Sequence, residues 1–209
     1  MIVEEKHSLS ALINSLKRQH DFYTELVESR EGLPEGTRYV LENPKKFPGI
    51  LGTVADMFQV DEEYRDALES GLGELSHCLI AKDKVSAIMA LEQSNKDQAG
   101  DLTIIPLKEA SSLKISLDEL PSSSNIKARA SDLVKTSKQL RPLADYLLGN
   151  LLVVDDLGSI IDSTDLVGWN LVDQTGAYSG QNLIMKNRKV TEDRYIIGRQ
   201  KKLELINSD

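Results

Sequence analysis

The sequence is short of cysteine, aromatic residues and long apolar runs, and each shortage excludes a class of protein. A single cysteine, Cys78, rules out an internal disulfide and suits a reducing cytoplasm. It stands in the apolar stretch from Leu75 to Ala81, where a buried structural thiol is expected. No run approaches the roughly 20 apolar residues that a bilayer span requires, so no membrane segment is expected. The opening Met-Ile-Val-Glu-Glu-Lys-His has no apolar stretch followed by a small-residue cleavage site, and it does not read as a secretory signal. Aromatic residues are only 5% of the chain. Trp169, the one tryptophan, is expected in the core or an interface and not as a platform for bases.

Signatures of catalysis are missing as well. There is no Gly-rich phosphate loop and no Gly-x-Gly-x-x-Gly after a strand. Gly176 and Gly180 are four apart without a third glycine, which reads as a turn. His7, His20 and His77 share no metal-ligand spacing, and no second cysteine stands near Cys78, so neither a metal nor a cofactor is expected. Asp155 and Asp156 follow an apolar strand, where carboxylates of α/β enzymes often sit, but a helix N-cap also belongs there.

What is present is a chain of 209 residues, 40% hydrophobic, enough for one or two domains with a real core. The net charge is −8, which argues against nucleic-acid binding over the whole surface. Residues 186–202 depart from that average. Lys186, Arg188, Lys189, Arg194, Arg199, Lys201 and Lys202 stand against only Glu192 and Asp193, so the segment carries +5. Such a strip reads either as a local contact for DNA or as a solvated face.

Residues 1–30 read as one helix with a narrow seam. Leu9, Ile13, Leu16, His20, Tyr23 and Val27 alternate spacings of four and three, the coiled-coil repeat. Gly32 and Pro34 stop it. The other end is again helix-favouring, with Ile196, Leu203 and Ile206 as seam positions. The two ends read either as an antiparallel pair or as ordinary helices packed on a body.

Between them lies a mixed body. A helix is expected from Asp61 to Ser70, a strand from Leu75 to Ala81, a helix from Val85 to Gln93 and a strand from Leu102 to Leu107. After a Ser-rich linker the same grammar returns. A helix at Ala144 to Leu148, a strand at Leu151 to Val154 and a helix at Asp156 to Ile161 are followed by short strands from Asn170 to Lys186. Leu72-Gly73-Glu74-Leu75 sets beside Leu148-Gly149-Asn150-Leu151, which suggests two related subdomains.

Several stretches, in order, resemble the hinge of bacterial SMC (structural maintenance of chromosomes) proteins. Phe47-Pro48-Gly49-Ile50-Leu51-Gly52-Thr53-Val54-Ala55-Asp56-Met57 is similar to the family's opening, and Val60 to Tyr64, Ala67 to Glu69 and Leu72-Gly73 continue it. Leu102 to Leu107 resembles the family strand ending in Pro-Leu. Leu148-Gly149 before Leu152 to Asp156, and Ile197-Gly198-Arg199, resemble the second subdomain and the start of the returning arm.

The resemblance implies an α+β fold of two related small subdomains with mixed sheets and helices, plus a terminal antiparallel coiled-coil stub. It divides the chain into an incoming arm (1–30), a junction (31–46), a first subdomain (47–110), a linker (111–128), a second subdomain (129–190) and a returning arm (191–209). It implies a mechanical role without catalysis, in which two hinges form a homodimer that joins two arms. The dimer surface falls on Leu183, Ile184, Met185, Lys186, Asn187 and Arg188. Lys186-Asn187 stand where the family carries a diglycine, and larger residues hold the backbones apart or change the contact. ATPase heads elsewhere in the parent chain, condensin accessory subunits bound to those heads, and a cytoplasmic, nucleoid-associated location are further implications. The competing reading is a small-molecule or enzymatic α/β domain using Asp155 and Asp156.

Overall fold

A computed structural model of the chain describes residues 2–30, 32–123, 125–160, 166–181, 184–186 and 196–208. It divides into an arm, residues 1–32 with 198–209, and a body, residues 33–197. In the arm, helix α1 runs Ile2–Ser29.

The body is built from one plan used twice. Helix α2 (Glu35–Glu42) leads into strand β1 (Ile50–Thr53), the short helix α3 (Val54–Met57) and, after a 3-10 turn at Glu62–Tyr64, helix α4 (Arg65–Leu72). Strand β2 (Leu79–Ala81), helix α5 (Lys84–Asp97), strand β3 (Ile104–Pro106) and helix α6 (Leu107–Ala110) complete the first half. The second half repeats the order with β4 (Ile126–Arg129), α7 (Ala130–Leu133), α8 (Arg141–Leu148), β5 (Leu151–Val154), α9 (Leu157–Ile160) and β6 (Asn170–Asp173). It then adds a hairpin of β7 (Tyr178–Ser179) and β8 (Met185–Lys186). The arm returns as α10 (Arg199–Ser208).

The two sheets share their topology as well as their element order. In the first, β1 pairs antiparallel with β2 and β2 parallel with β3. In the second, β4 pairs antiparallel with β5 and β5 parallel with β6. The leading strand of each half has a register shift, between Ile50 and Gly52 and between Ile126 and Ala128. The two leading strands thus share an irregularity of register at the same place, a feature common in edge strands. The duplication expected from Leu72-Gly73 and Leu148-Gly149 is therefore present in the fold. One detail is corrected: the first-half strand does not start at Leu75. Gly73–His77 is a 3-10 turn, entered at positive φ by Gly73 (54°) and closed by the Ser76 hydroxyl donating to the Gly73 carbonyl at 2.7 Å.

The halves share one core. Phe58, Leu68 and Leu72 from the first pack with Leu143, Leu148, Val153 and Val172 from the second. Gly71 allows the close approach, because a Cβ there would lie 2.2 Å from a methyl of Leu151. A smaller cluster of Val40, Phe47, Leu79 and Ala90 ties α2 to the first sheet, so the expected junction over 31–46 carries part of the body's packing. Cys78 is buried in the shared core, and burial pushes its thiol pKa up. In the arm, α1 and α10 pack together. No helix among the described residues is long and apolar enough to cross a membrane.

Candidate functional site

Among the described residues, the second sheet ends on β8, a two-residue strand. Its register on β7 sets Met185 against Ser179 and Lys186 against Tyr178. Ile184 and Met185 are 46% and 64% exposed, unusual values for large apolar side chains at a sheet edge. The Lys186 ammonium lies 5.4 Å from the centre of the Tyr178 ring, whose phenol pKa is raised by burial. Beside them, a cavity of about 480 Å³ is lined by Glu69, Gly73, Glu74, His77, Lys186 and Ile196, among others. Of the residues expected at the dimer surface, Ile184, Met185 and Lys186 thus share this edge, while Leu183, Asn187 and Arg188 lie outside the described residues.

The basic strip is only partly in view. Lys186 is exposed, whereas Arg188, Lys189 and Arg194 lie outside the described residues, as do the side chains of Lys201 and Lys202. Arg199 is corrected: at 8% exposure its guanidinium is buried and does not present itself to a phosphate backbone.

The arm helices divide the expected seam. Tyr23 is buried at 9%, and Leu16, Leu203 and Ile206 are half-buried. Leu9 and Ile13 are 58% and 45% exposed. The lengths account for this: α1 has 28 residues and α10 has 10, so α10 at about 1.5 Å per residue can cover only part of α1. The side chain of Val27 lies outside those described. Ile196 is corrected, since it packs against the core of the body. Gly198, at φ 81°, breaks the backbone between Ile196 and α10, so the heptad spacing from Ile196 to Leu203 is not carried by one helix.

A residue that sequence reasoning passed over fixes this segment. Glu69, on α4 and 2% exposed, accepts from the main-chain N–H of both Ile196 (2.6 Å) and Ile197 (2.7 Å) through one carboxylate oxygen. The available signal was a lone acid between Leu68 and Leu72 on a helix face that is otherwise apolar or small. Such a group stays buried only when hydrogen-bonded.

The aspartates of the competing enzymatic reading have structural uses. Asp156 accepts from the Ser159 amide at 2.9 Å at the start of α9, and Asp155 pairs with Lys127 at 3.1 Å. Trp169 packs on the second-half cluster beneath the Arg129 guanidinium, 5.6 Å from its ring centre. No group of three or more His, Cys, Asp or Glu among the described residues is placed to hold a metal.

Comparison with known proteins gives one answer. The chromosome partition protein Smc of Halothermothrix orenii is 28% identical over 190 residues, 88% of this chain and 16% of its own length. That of Bacillus subtilis is 22% identical over 92% of this chain and 17% of its own. The chain therefore spans about a sixth of the relatives it matches. Among solved structures, an asymmetric dimer of the Geobacillus stearothermophilus SMC hinge domain matches with a TM-score of 0.81 at 20% identity, covering 97% of this chain and 83% of that one. The Pyrococcus furiosus SMC hinge domain matches at 0.58 and 21%, covering 85% and 93%. Residues 47–159, more than half of the chain, match the family model of the SMC proteins' flexible hinge domain, and the chain belongs to that family.

Proposed function

We propose that this chain is the point at which two copies of a chromosome-partition SMC protein join, each through the body, so that two arms meet at one end. The observation that carries this reading is the exposure of the large apolar side chains Ile184 and Met185 at β8, in a fold of the SMC hinge family. Exposed large apolar side chains gain buried area by packing against a second copy of the same surface. The arm helices α1 and α10 then serve as the ends of an antiparallel coiled coil. ATP hydrolysis and accessory condensin subunits belong to heads outside this chain, and the working place is the nucleoid in the cytoplasm. The hinge itself uses no cofactor.

The same reading gives the basic strip a weak contact with DNA. Lys186, Arg188, Lys189, Arg194, Lys201 and Lys202 place positive charge on an otherwise acidic chain. Such contacts go to phosphates, ignore base sequence and weaken steeply with salt.

Sedimentation velocity tests the dimer. The unmodified chain is expected to sediment as a dimer at tens of micromolar, and Ile184→Lys with Met185→Lys as a monomer with an unchanged melting profile. A monomeric unmodified chain rules the reading out. For DNA, charge reversal of Arg188, Lys189, Lys201 and Lys202 is expected to abolish duplex binding at low salt without loss of the dimer. Unchanged affinity and salt slope leave the strip as a solvated face.

A further inference from the structure

Two neighbouring residues of α4 reach across to the last part of the body. The hydroxyl of Ser70, a buried residue, donates to the Gly176 carbonyl at 2.7 Å. The carboxylate of Glu69 accepts from the Ile196 and Ile197 amides. Gly176 stands in the turn between β6 and β7, where the hairpin that carries β8 begins. Ile196 and Ile197 stand where the chain leaves the body for α10. Adjacent side chains of one helix therefore hold both ends of residues 176–197. Glu69, Ser70 and Ile197 are all buried, so breaking either tie strands polar groups that water does not readily reach.

The end of the same helix reaches β8 itself. The Gly73 amide donates to the main-chain carbonyl of Glu69 and closes α4. The Lys186 ammonium lies over this point: a Cβ built on Gly73 would stand 3.8 Å from it. Lys186 thus sits between a turn of the first half and the Tyr178 ring of the second, 5.4 Å from the ring centre. Tyr178 and Ile196 both pack against the shared core. Glu69, Gly73, Lys186 and Ile196 also line one cavity, of about 480 Å³.

We infer that α4 couples the exit of the chain at Ile196–Ile197 to the surface at β8. Glu69 and Ser70 hold the segment at both ends, so displacing the exit changes how Met185 and Lys186 are presented to a second copy. The inference rests on the reading that two copies pair through β8, and it makes Glu69 and Ser70 positioning residues for that pairing. Such coupling is reciprocal: loosening the exit weakens pairing, and pairing steadies the exit.

The test measures dimer affinity by sedimentation equilibrium, and amide exchange at Ile197, on the full chain. Glu69→Ala and Ser70→Ala are each expected to weaken the dimer by about five-fold or more. Glu69→Gln, which keeps an oxygen in place, is expected to weaken it less. Ile160→Ala takes a buried side chain from the separate second-half cluster and controls for general destabilisation; its dimer is expected to keep its affinity. In the unmodified chain the Ile197 amide is expected to exchange more slowly where the dimer forms than at a dilution where it dissociates. A monomeric unmodified chain overturns the dimer reading and this inference with it. A dimer of unchanged affinity in both alanine variants overturns the inference alone. An equal loss in Ile160→Ala does so too, because the two residues then act only through stability. Exchange at Ile197 that ignores concentration, while the dimer forms, also overturns it.

Discussion

Gln59 and Lys135 each donate a main-chain N–H to the other's carbonyl, at 3.1 Å and 2.7 Å. They occupy the same place in their own halves, two residues beyond α3 and two beyond α7. Equivalent residues that bond to each other mark a local two-fold relation between the halves. Phe58 and Val134, the residues just before them, are both buried in the shared core.

The first prediction follows from that shared core. Phe58→Ala removes a ring that is 1% exposed and is expected to cost about 3–5 kcal/mol. Trp169 lies in the second half, yet its fluorescence should report the loss at the same urea midpoint as circular dichroism. Two separated midpoints refute a common core.

Gly71→Ala is the second. The added methyl meets Leu151 at 2.2 Å and must displace it, an overpacking expected to cost about 1–3 kcal/mol in urea denaturation. Reducing Leu151 to Ala in the same chain should recover part of that loss by making room. If the double variant is less stable than the sum of the two changes, the contact is not what limits this position.

Glu69→Ala supplies the third. The Ile196 and Ile197 amides lose their acceptor, and Ile197 is 1% exposed, so each orphaned donor is expected to cost about 1–3 kcal/mol. Glu69→Gln keeps an oxygen in place and should lose less. Amide hydrogen exchange at Ile197 is the direct readout: it should accelerate in the Ala variant and far less in the Gln variant. Equal exchange in all three chains excludes the contact.

A fourth concerns pH. Lys46, then Gln93 and Tyr39, hydrogen-bond to Asp97 and hold its carboxyl pKa below the usual value. A depressed carboxylate contributes stability that is complete above its unfolded pKa, about 3.9, and is lost as pH falls through the lower folded value. Lys46, with its pKa raised by Tyr39 and Asp97, contributes in the opposite sense and fades only in strong alkali. The stability gap between the unmodified chain and Asp97→Asn should therefore be flat near neutrality and close below about pH 4. A gap that persists unchanged to pH 2 shows that the charge of Asp97 is irrelevant.

The sequence discloses these features unequally. Strand β5 is evident because Leu151 to Val154 is short, apolar and bounded by Asn150 and Asp155, and all four residues are buried. The duplicated order is visible through Leu72-Gly73 and Leu148-Gly149, where both second helices end. The turn at Gly73–His77 is hidden, since Leu75 extends the apolar run ahead of β2 and only the positive φ of Gly73 separates them. Ile196 misleads for a related reason: its spacing to Leu203 fits a heptad, while Gly198 interrupts the helix between them. Glu69 is illegible locally because its hydrogen-bond partners lie 127 and 128 residues downstream.

Glu69 also has a mechanical meaning. Residues 196 and 197 follow the second half in the chain, yet they are fastened to α4 of the first. A pull arriving through the backbone at Gly198 is borne by a rivet with two donors and one oxygen, so its bonds share the strain and fail together. Tension along the backbone at this point therefore meets α4 of the first half directly.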